Sequence, residues 1–112
     1  MMSAEFSVTF DDAAWYATHR DALTCTLAQL VTFSERVGQR EFRLIGREPR
    51  NTGDWCYDAR VFLDEERILL EISAHPASIE RDLALLLEWI RRHTRIAVID
   101  EDGVPSTSPR LE

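Results

Sequence analysis

The residues able to do chemistry are three histidines, two cysteines and several carboxylate clusters in a chain of 112 residues. His19, His75 and His93 fall on separate predicted elements. No pair has the spacing of a local metal motif, and neither C-x-x-C nor H-x-x-x-H occurs. A metal site would have to be assembled in space from Cys25, Cys56 and a histidine, and none is predicted. No G-x-S-x-G elbow marks a nucleophile. Cys25 and Cys56 read as packing thiols in mid-helix and mid-strand, buried or half-buried in a reducing compartment. The four glycines are isolated, so no glycine-rich phosphate cradle exists.

Carboxylates cluster at Asp11-Asp12, Asp64-Glu65-Glu66 and Asp100-Glu101-Asp102. General acid–base work needs a carboxylate in a desolvated cleft. These clusters fall in predicted turns, where they read as helix caps and solvated loops. Two of them directly follow strands and are expected to rim one surface. An acidic rim can stand in for the phosphates of a nucleic acid. No catalytic residue and no cofactor is predicted, and the chain is not expected to be an enzyme.

Charge narrows the class of partner. Twenty acidic residues against 13 basic give a net charge of −7. That argues against direct nucleic-acid binding, which needs a basic face. It suits a basic partner, because complementary fields speed encounter. On charge alone, a domain that is simply kept soluble is the favoured reading. No apolar run approaches the roughly 20 residues of a membrane span; Leu83 to Leu87 reads as helix core. Met1 to Phe10 lacks the features of a signal peptide, so a cytoplasmic protein with no membrane partner is expected. Two cysteines cannot build a disulfide framework, and no essential disulfide is predicted.

These residues must be positioned by a small set of elements. Glu5 to Phe10 alternates polar and apolar, as a half-buried strand does. Asp11 and Asp12 offer an N-cap. Helical period then runs from about residue 12 to Val37, with Tyr16, Leu23, Leu27, Leu30, Val31 and Val37 on one stripe, Thr32 opposite, and Gly38 as C′ residue. Arg20 falls inside the stripe, and a break near residues 18–20 is one reading. Arg40 to Arg47 reads as a strand through Phe42 and Leu44, and residues 48–53 as a loop. Asp54 to Leu63 alternates, with Trp55, Tyr57, Ala59, Val61 and Leu63 on one face. Asp64 to Arg67 is a hairpin connection, and Ile68 to Ala74 the return strand, with Ile68, Leu70 and Ile72 inward. Ser78 is the expected N-cap of a second helix whose stripe is Ile79, Leu83, Leu86, Leu87 and Ile90. Ile96 to Ile99 is a last strand, and residues 100–103 turn the chain.

The expected order is strand-helix-strand-strand-strand-helix-strand. It predicts an α+β two-layer sandwich: a mostly antiparallel sheet of about five strands with two helices on one face. Residues 1–104 form the single domain and 105–112 a tail. Leu111-Glu112 resembles a cloning scar. Leu83, Leu87, Ile90, Leu27 and Leu30 are the expected core facing the sheet. Leu85 and Trp89, four residues apart, lie off the second stripe, and Trp15 and Phe33 lie off the first. They either pack against the neighbouring helix or form a contact patch for a partner or second copy.

The ending, Leu86-Leu87-Glu88-Trp89-Ile90-Arg91 followed by Ile96-Ala97-Val98-Ile99-Asp100-Glu101-Asp102-Gly103, resembles those of small bacterial immunity proteins of contact-dependent and polymorphic toxin systems. The size, charge and strand–helix pattern of the whole chain are similar too. The resemblance implies a cytoplasmic toxin inhibitor, whose acidic surface plugs a toxin domain such as a nuclease with a basic active site. On that reading Asp64, Glu65, Glu66, Asp100, Glu101 and Asp102 contact the partner, with Leu85 and Trp89 as apolar candidates. The alternatives are a homo-oligomeric structural or regulatory domain, a homodimer among them, and a small ligand-binding domain.

Overall fold

Alternation near the N-terminus produces strand β1, Ala4–Phe10, with Phe6 and Val8 turned into the core. The structure, a computed structural model, describes residues 4–49, 56–73 and 76–106. Helix α1 spans Ala13–Ala28. Asp12 caps it: its carboxylate accepts the Trp15 backbone N–H at 3.1 Å. Tyr16, Leu23 and Leu27 form its buried stripe.

One open alternative for this helix is closed and one expectation is corrected. No break occurs near residues 18–20. Arg20 sits in the stripe without disrupting it, because its long stem carries the guanidinium out over the Tyr16 ring, 5.7 Å from the centroid. Thr24 and Thr26 donate their hydroxyls to carbonyls four residues back, at 3.0 and 2.9 Å, which keeps them inside the helix. The helix also ends at Ala28, nine residues before the predicted Val37. Phe33–Val37 is instead strand β2. Val31, Thr32, Phe33 and Val37 are β-branched or aromatic, and pairing with the next strand overrides their approximate helical spacing. Gly38 does hold a left-handed φ of +65°, but in the β2–β3 turn rather than at a helix end.

The remaining elements are β3 (Glu41–Leu44), β4 (Ala59–Leu63), β5 (Arg67–Ile72), α2 (Ala77–Arg91), β6 (Ile96–Asp100) and β7 (Pro105–Ser106). Across the sheet the order is β2-β3-β4-β5-β1-β6-β7. Every hydrogen-bonded neighbour pair is antiparallel. The chain is thus an α+β two-layer sandwich, with seven strands among the described residues rather than about five. The two additions are β2, cut from the predicted helix, and β7, from the segment read as tail. Residues 107–112, including Leu111-Glu112, lie outside the described residues.

Both helices cover the same sheet face, because their buried stripes join one core with the inward strand residues. Leu27, Leu83, Leu87 and Ile90 are fully buried there. Leu30, expected among them, only packs half-buried against the edge, since the helix has already ended. Val31 and Val37, also on the predicted stripe, are exposed, whereas Thr32 is buried.

The strand predicted from residue 54 begins at Ala59. Trp55 lies outside the described residues. Tyr57 does not share the inner face with Ala59, Val61 and Leu63: its ring stacks with the guanidinium groups of Arg43 and Arg60, 5.0 and 4.9 Å away. Asp58 is buried in its place and accepts the Gly46 N–H at 2.7 Å. No helix among the described residues is long and apolar enough to cross a membrane.

Candidate functional site

Register fixes where each acidic turn lies. Thr9 pairs with Arg67, so the β4–β5 tip, Asp64-Glu65-Glu66, sits at the end of the sheet where β1 finishes, beside Asp11-Asp12. Phe6 pairs with Asp100, so Asp100-Glu101-Asp102 sits at the other end. From Phe6 to Phe10 the strand covers about 13 Å. The two turns therefore do not rim one surface, as the sequence suggested, because β4 and β6 run in opposite directions.

They also differ in what their carboxylates are free to do. Asp100 is committed to its own turn, accepting the N–H groups of Asp102 and Val104 at 3.0 and 2.9 Å. Glu101 and Asp102 are exposed. At the other tip the backbone is anchored from outside. Asp64 N–H reaches the Arg67 carbonyl at 3.0 Å. The buried Tyr16 hydroxyl lies 2.5 Å from the Asp64 carbonyl and 3.1 Å from that of Arg67. Burial pushes this phenol up to about 12, against the downward pull of the Arg20 and Arg40 charges, so it stays a donor. Arg40 pairs with Glu65 at 3.4 Å. Glu65 and Glu66 are exposed, on a turn that Tyr16 bonds at both ends.

Leu85 is 51% exposed. Trp89 is half-buried, 6.3 Å from Trp15 across the helix pair and 4.6 Å from His93. Trp15 stacks on His19 at 4.3 Å, and Phe33 packs 6.5 Å from Phe42. Three of the four flank residues therefore pack within the fold, and Leu85 alone remains largely open. It borders a groove of about 260 Å³ with Leu30 and Trp89.

Of the remaining candidates, His19 and His93 meet around Trp15, with ring centroids 4.3 and 6.2 Å from it. The Nδ1 atoms of His19 and His93 each lie 2.7 Å from a carbonyl of their own helix segment, Trp15 and Trp89 respectively. His75 lies outside the described residues. Cys25 and Cys56 are free and both exposed, which overturns their reading as packing thiols. Cys25 falls on the outer side of α1, and Cys56 precedes the strand rather than lying within it. Among the described residues no group of three or more His, Cys, Asp or Glu side chains is placed to hold a metal.

Sequence reading missed the outer face of the sheet. Register lines up Glu35, Arg43, Arg60, Glu71 and Glu5 in one row across five strands. Within the row Arg43 pairs with Glu35 at 3.4 Å and Arg60 bonds Glu71, so the row is largely self-neutralised. The alternate positions were visible, but strand order was needed to align them. A second omission is a cleft of about 660 Å³ between α1, the β2–β3 turn and the β4–β5 tip. Arg20 lines it. Its place inside an apolar stripe was the one signal available beforehand.

No family model, no curated protein and no solved structure matches this chain.

Proposed function

We propose that this protein is a non-enzymatic immunity protein, acting in the cytoplasm, that binds and neutralises a cognate bacterial toxin domain with a basic active site. The observation that carries the reading is the anchored acidic tip. Glu65 and Glu66 project from a hairpin whose backbone is tied to the buried Tyr16 hydroxyl. A carboxylate presented on a fixed backbone loses little freedom on binding and forms charge-assisted bonds with Arg or Lys. The excess of acidic over basic residues favours encounter with a basic surface. The two acidic turns lie at opposite ends of the sheet, and of the two the Tyr16-anchored tip is the better prepared.

The decisive experiment is co-expression with the product of an adjacent toxin-bearing gene. A complex that survives gel filtration, together with rescue of growth, supports the reading. A toxin that kills regardless, with no complex formed, overturns it. In that case self-association through Leu85 becomes the better account, and sedimentation of the purified chain as a dimer that Leu85→Glu dissociates would establish it.

A further inference from the structure

Three arginines converge on the cleft beside α1, and their donors are mostly unspent. Arg20 comes from α1, Arg36 from β2 and Arg40 from the β2–β3 turn. Two of the guanidinium groups are backed by an aromatic ring. Arg20 lies 5.7 Å over the Tyr16 ring, and Arg36 lies 5.2 Å over the Phe42 ring. Arg36 also donates to the Gln39 carbonyl at 2.8 Å, and Arg40 to Glu65 at 3.4 Å. Among the described residues no hydrogen bond or ion pair engages the Arg20 guanidinium at all. A guanidinium carries five N–H donors in a fixed fork, so most of the donors here face an open cleft without a partner. Stacking on a ring removes part of the freedom that such a side chain would lose on binding.

We propose that this cleft is an anion-binding site that takes a single carboxylate- or phosphate-bearing group on Arg20 and Arg36, with Arg40 as a third donor. Planar forks match either oxyanion bidentately. Asp21, Glu65 and Glu66 line the same cleft, and all three are exposed. They oppose a second negative charge and so select against polyanions. Glu65 already engages Arg40, so a bound anion competes with it. The cleft shares Glu65 and Glu66 with the proposed toxin contact, but the inference does not depend on that reading and needs no toxin to test.

The test titrates inorganic phosphate and, separately, acetate into the full chain at constant ionic strength held with chloride, following the arginine Nε–Hε NMR signals. A saturable shift at Arg20 and Arg36 is expected. The double variant Arg20→Gln/Arg36→Gln should weaken binding at least tenfold, while Arg91→Gln/Arg92→Gln, which removes the same charge elsewhere, should leave it unchanged. Removing the opposing carboxylates in Asp21→Asn/Glu66→Gln should tighten it several-fold, and this variant decides the matter if Arg20→Gln compromises folding. Saturation by phosphate alone assigns a phosphate-bearing ligand, and saturation by acetate as well admits a carboxylate. Shifts that never saturate with either anion, or an equal loss in both arginine double variants, overturn the proposal.

Discussion

The Asp82 carboxylate, on the inner side of α2, accepts two hydrogen bonds from Thr32: the backbone N–H at 2.8 Å and the hydroxyl at 2.6 Å. Both residues are almost fully buried. The Thr32 carbonyl in turn accepts the Ile45 N–H at 2.8 Å. One residue thus ties the segment after α1 to α2 and to the end of β3. A carboxylate in a core is costly unless its lone pairs are used. Here it satisfies two donors that would otherwise be stranded. Asp82→Ala should cost about 2–4 kcal/mol, because it leaves both Thr32 donors buried and unpaired. Thr32→Val removes only the hydroxyl contact and should cost less. Urea unfolding monitored by circular dichroism measures both. Equal, small losses would mean that water replaces the carboxylate.

Leu87→Ala addresses the packing between the layers. Leu87 is fully buried among Leu83, Leu86 and Ile90 on the sheet side of α2. Truncation should cost roughly 2–5 kcal/mol, the transfer term plus an unfilled cavity. A loss below about 1 kcal/mol would mean that the neighbouring side chains collapse into the space.

The contrast between the two helices shows what was legible in the sequence. In α2 every stripe residue from Ile79 to Ile90 is buried as spacing predicts, because no competing strand signal crosses it. In α1 the spacing ran on past Ala28 into residues whose side chains favour strands. Only pairing with β3, a tertiary event, decides between the two states there. The acidic tip was legible as a turn. That Tyr16 anchors it was not, because the contact spans 48 residues. Likewise Ser78 was read as a local cap, whereas the cap comes from another loop.

That cap gives a further prediction. Pro76 occupies the N-cap of α2 and offers no side-chain bond. Glu48, from the β3–β4 connection, supplies it instead by accepting the Ser78 N–H at 3.0 Å and the Ser78 hydroxyl at 2.5 Å. These bonds, the Ser78 hydroxyl first, hold the Glu48 carboxyl below its ordinary value of 4.5. A lowered carboxylate contributes stability that is present above 4.5 and lost as pH falls through the folded value. The unfolding midpoint should therefore decline on acidification below that point, and Ser78→Ala should flatten the decline. Gly46 makes the close approach feasible: a Cβ there would meet the Pro76 ring at 2.7 Å and Glu48 Oε1 at 3.1 Å. Gly46→Ala should cost roughly 1–3 kcal/mol by overpacking.

Tyr16 makes the opposite prediction at high pH. Its phenol is raised from 10.0 to about 12, chiefly by burial. The folded state keeps the proton where the unfolded chain would lose it. Stability from this group is present below pH 10 and lost as pH rises towards 12. At about 1.4 kcal/mol per unit, the difference is worth roughly 2–3 kcal/mol. Urea midpoints measured from pH 9 upward should fall, and Tyr16→Phe should remove most of that slope. The same variant should speed amide exchange in residues 64–67, since their carbonyls lose their anchor. An unchanged slope would place the phenol in contact with water.

The last prediction joins charge to geometry at the tip. Glu65 and Glu66 lie at one end of the sheet and Glu101 and Asp102 at the other. A single partner domain docking on one end cannot use both sets as direct contacts. Exposed charges act mainly on the rate of encounter, and their reach shrinks from about 10 Å at 0.1 M salt to about 3 Å at 1 M. Glu65→Gln/Glu66→Gln should therefore slow association with the toxin domain roughly tenfold at low salt, with the gap closing as salt rises. Glu101→Gln/Asp102→Asn changes the net charge by the same amount from the far end and should have a much smaller effect. Stopped-flow association at two salt concentrations separates the two. Equal slowing by both variants would mean that net charge alone steers the partner and that the tip is not the contact. Slowing by the far pair only would move the contact to the Asp100 turn. Direct contact at the tip has a second signature, because Glu65 must leave Arg40 to engage a partner cation. Arg40→Gln frees that carboxylate in advance, so it should speed association where Glu65→Gln slows it.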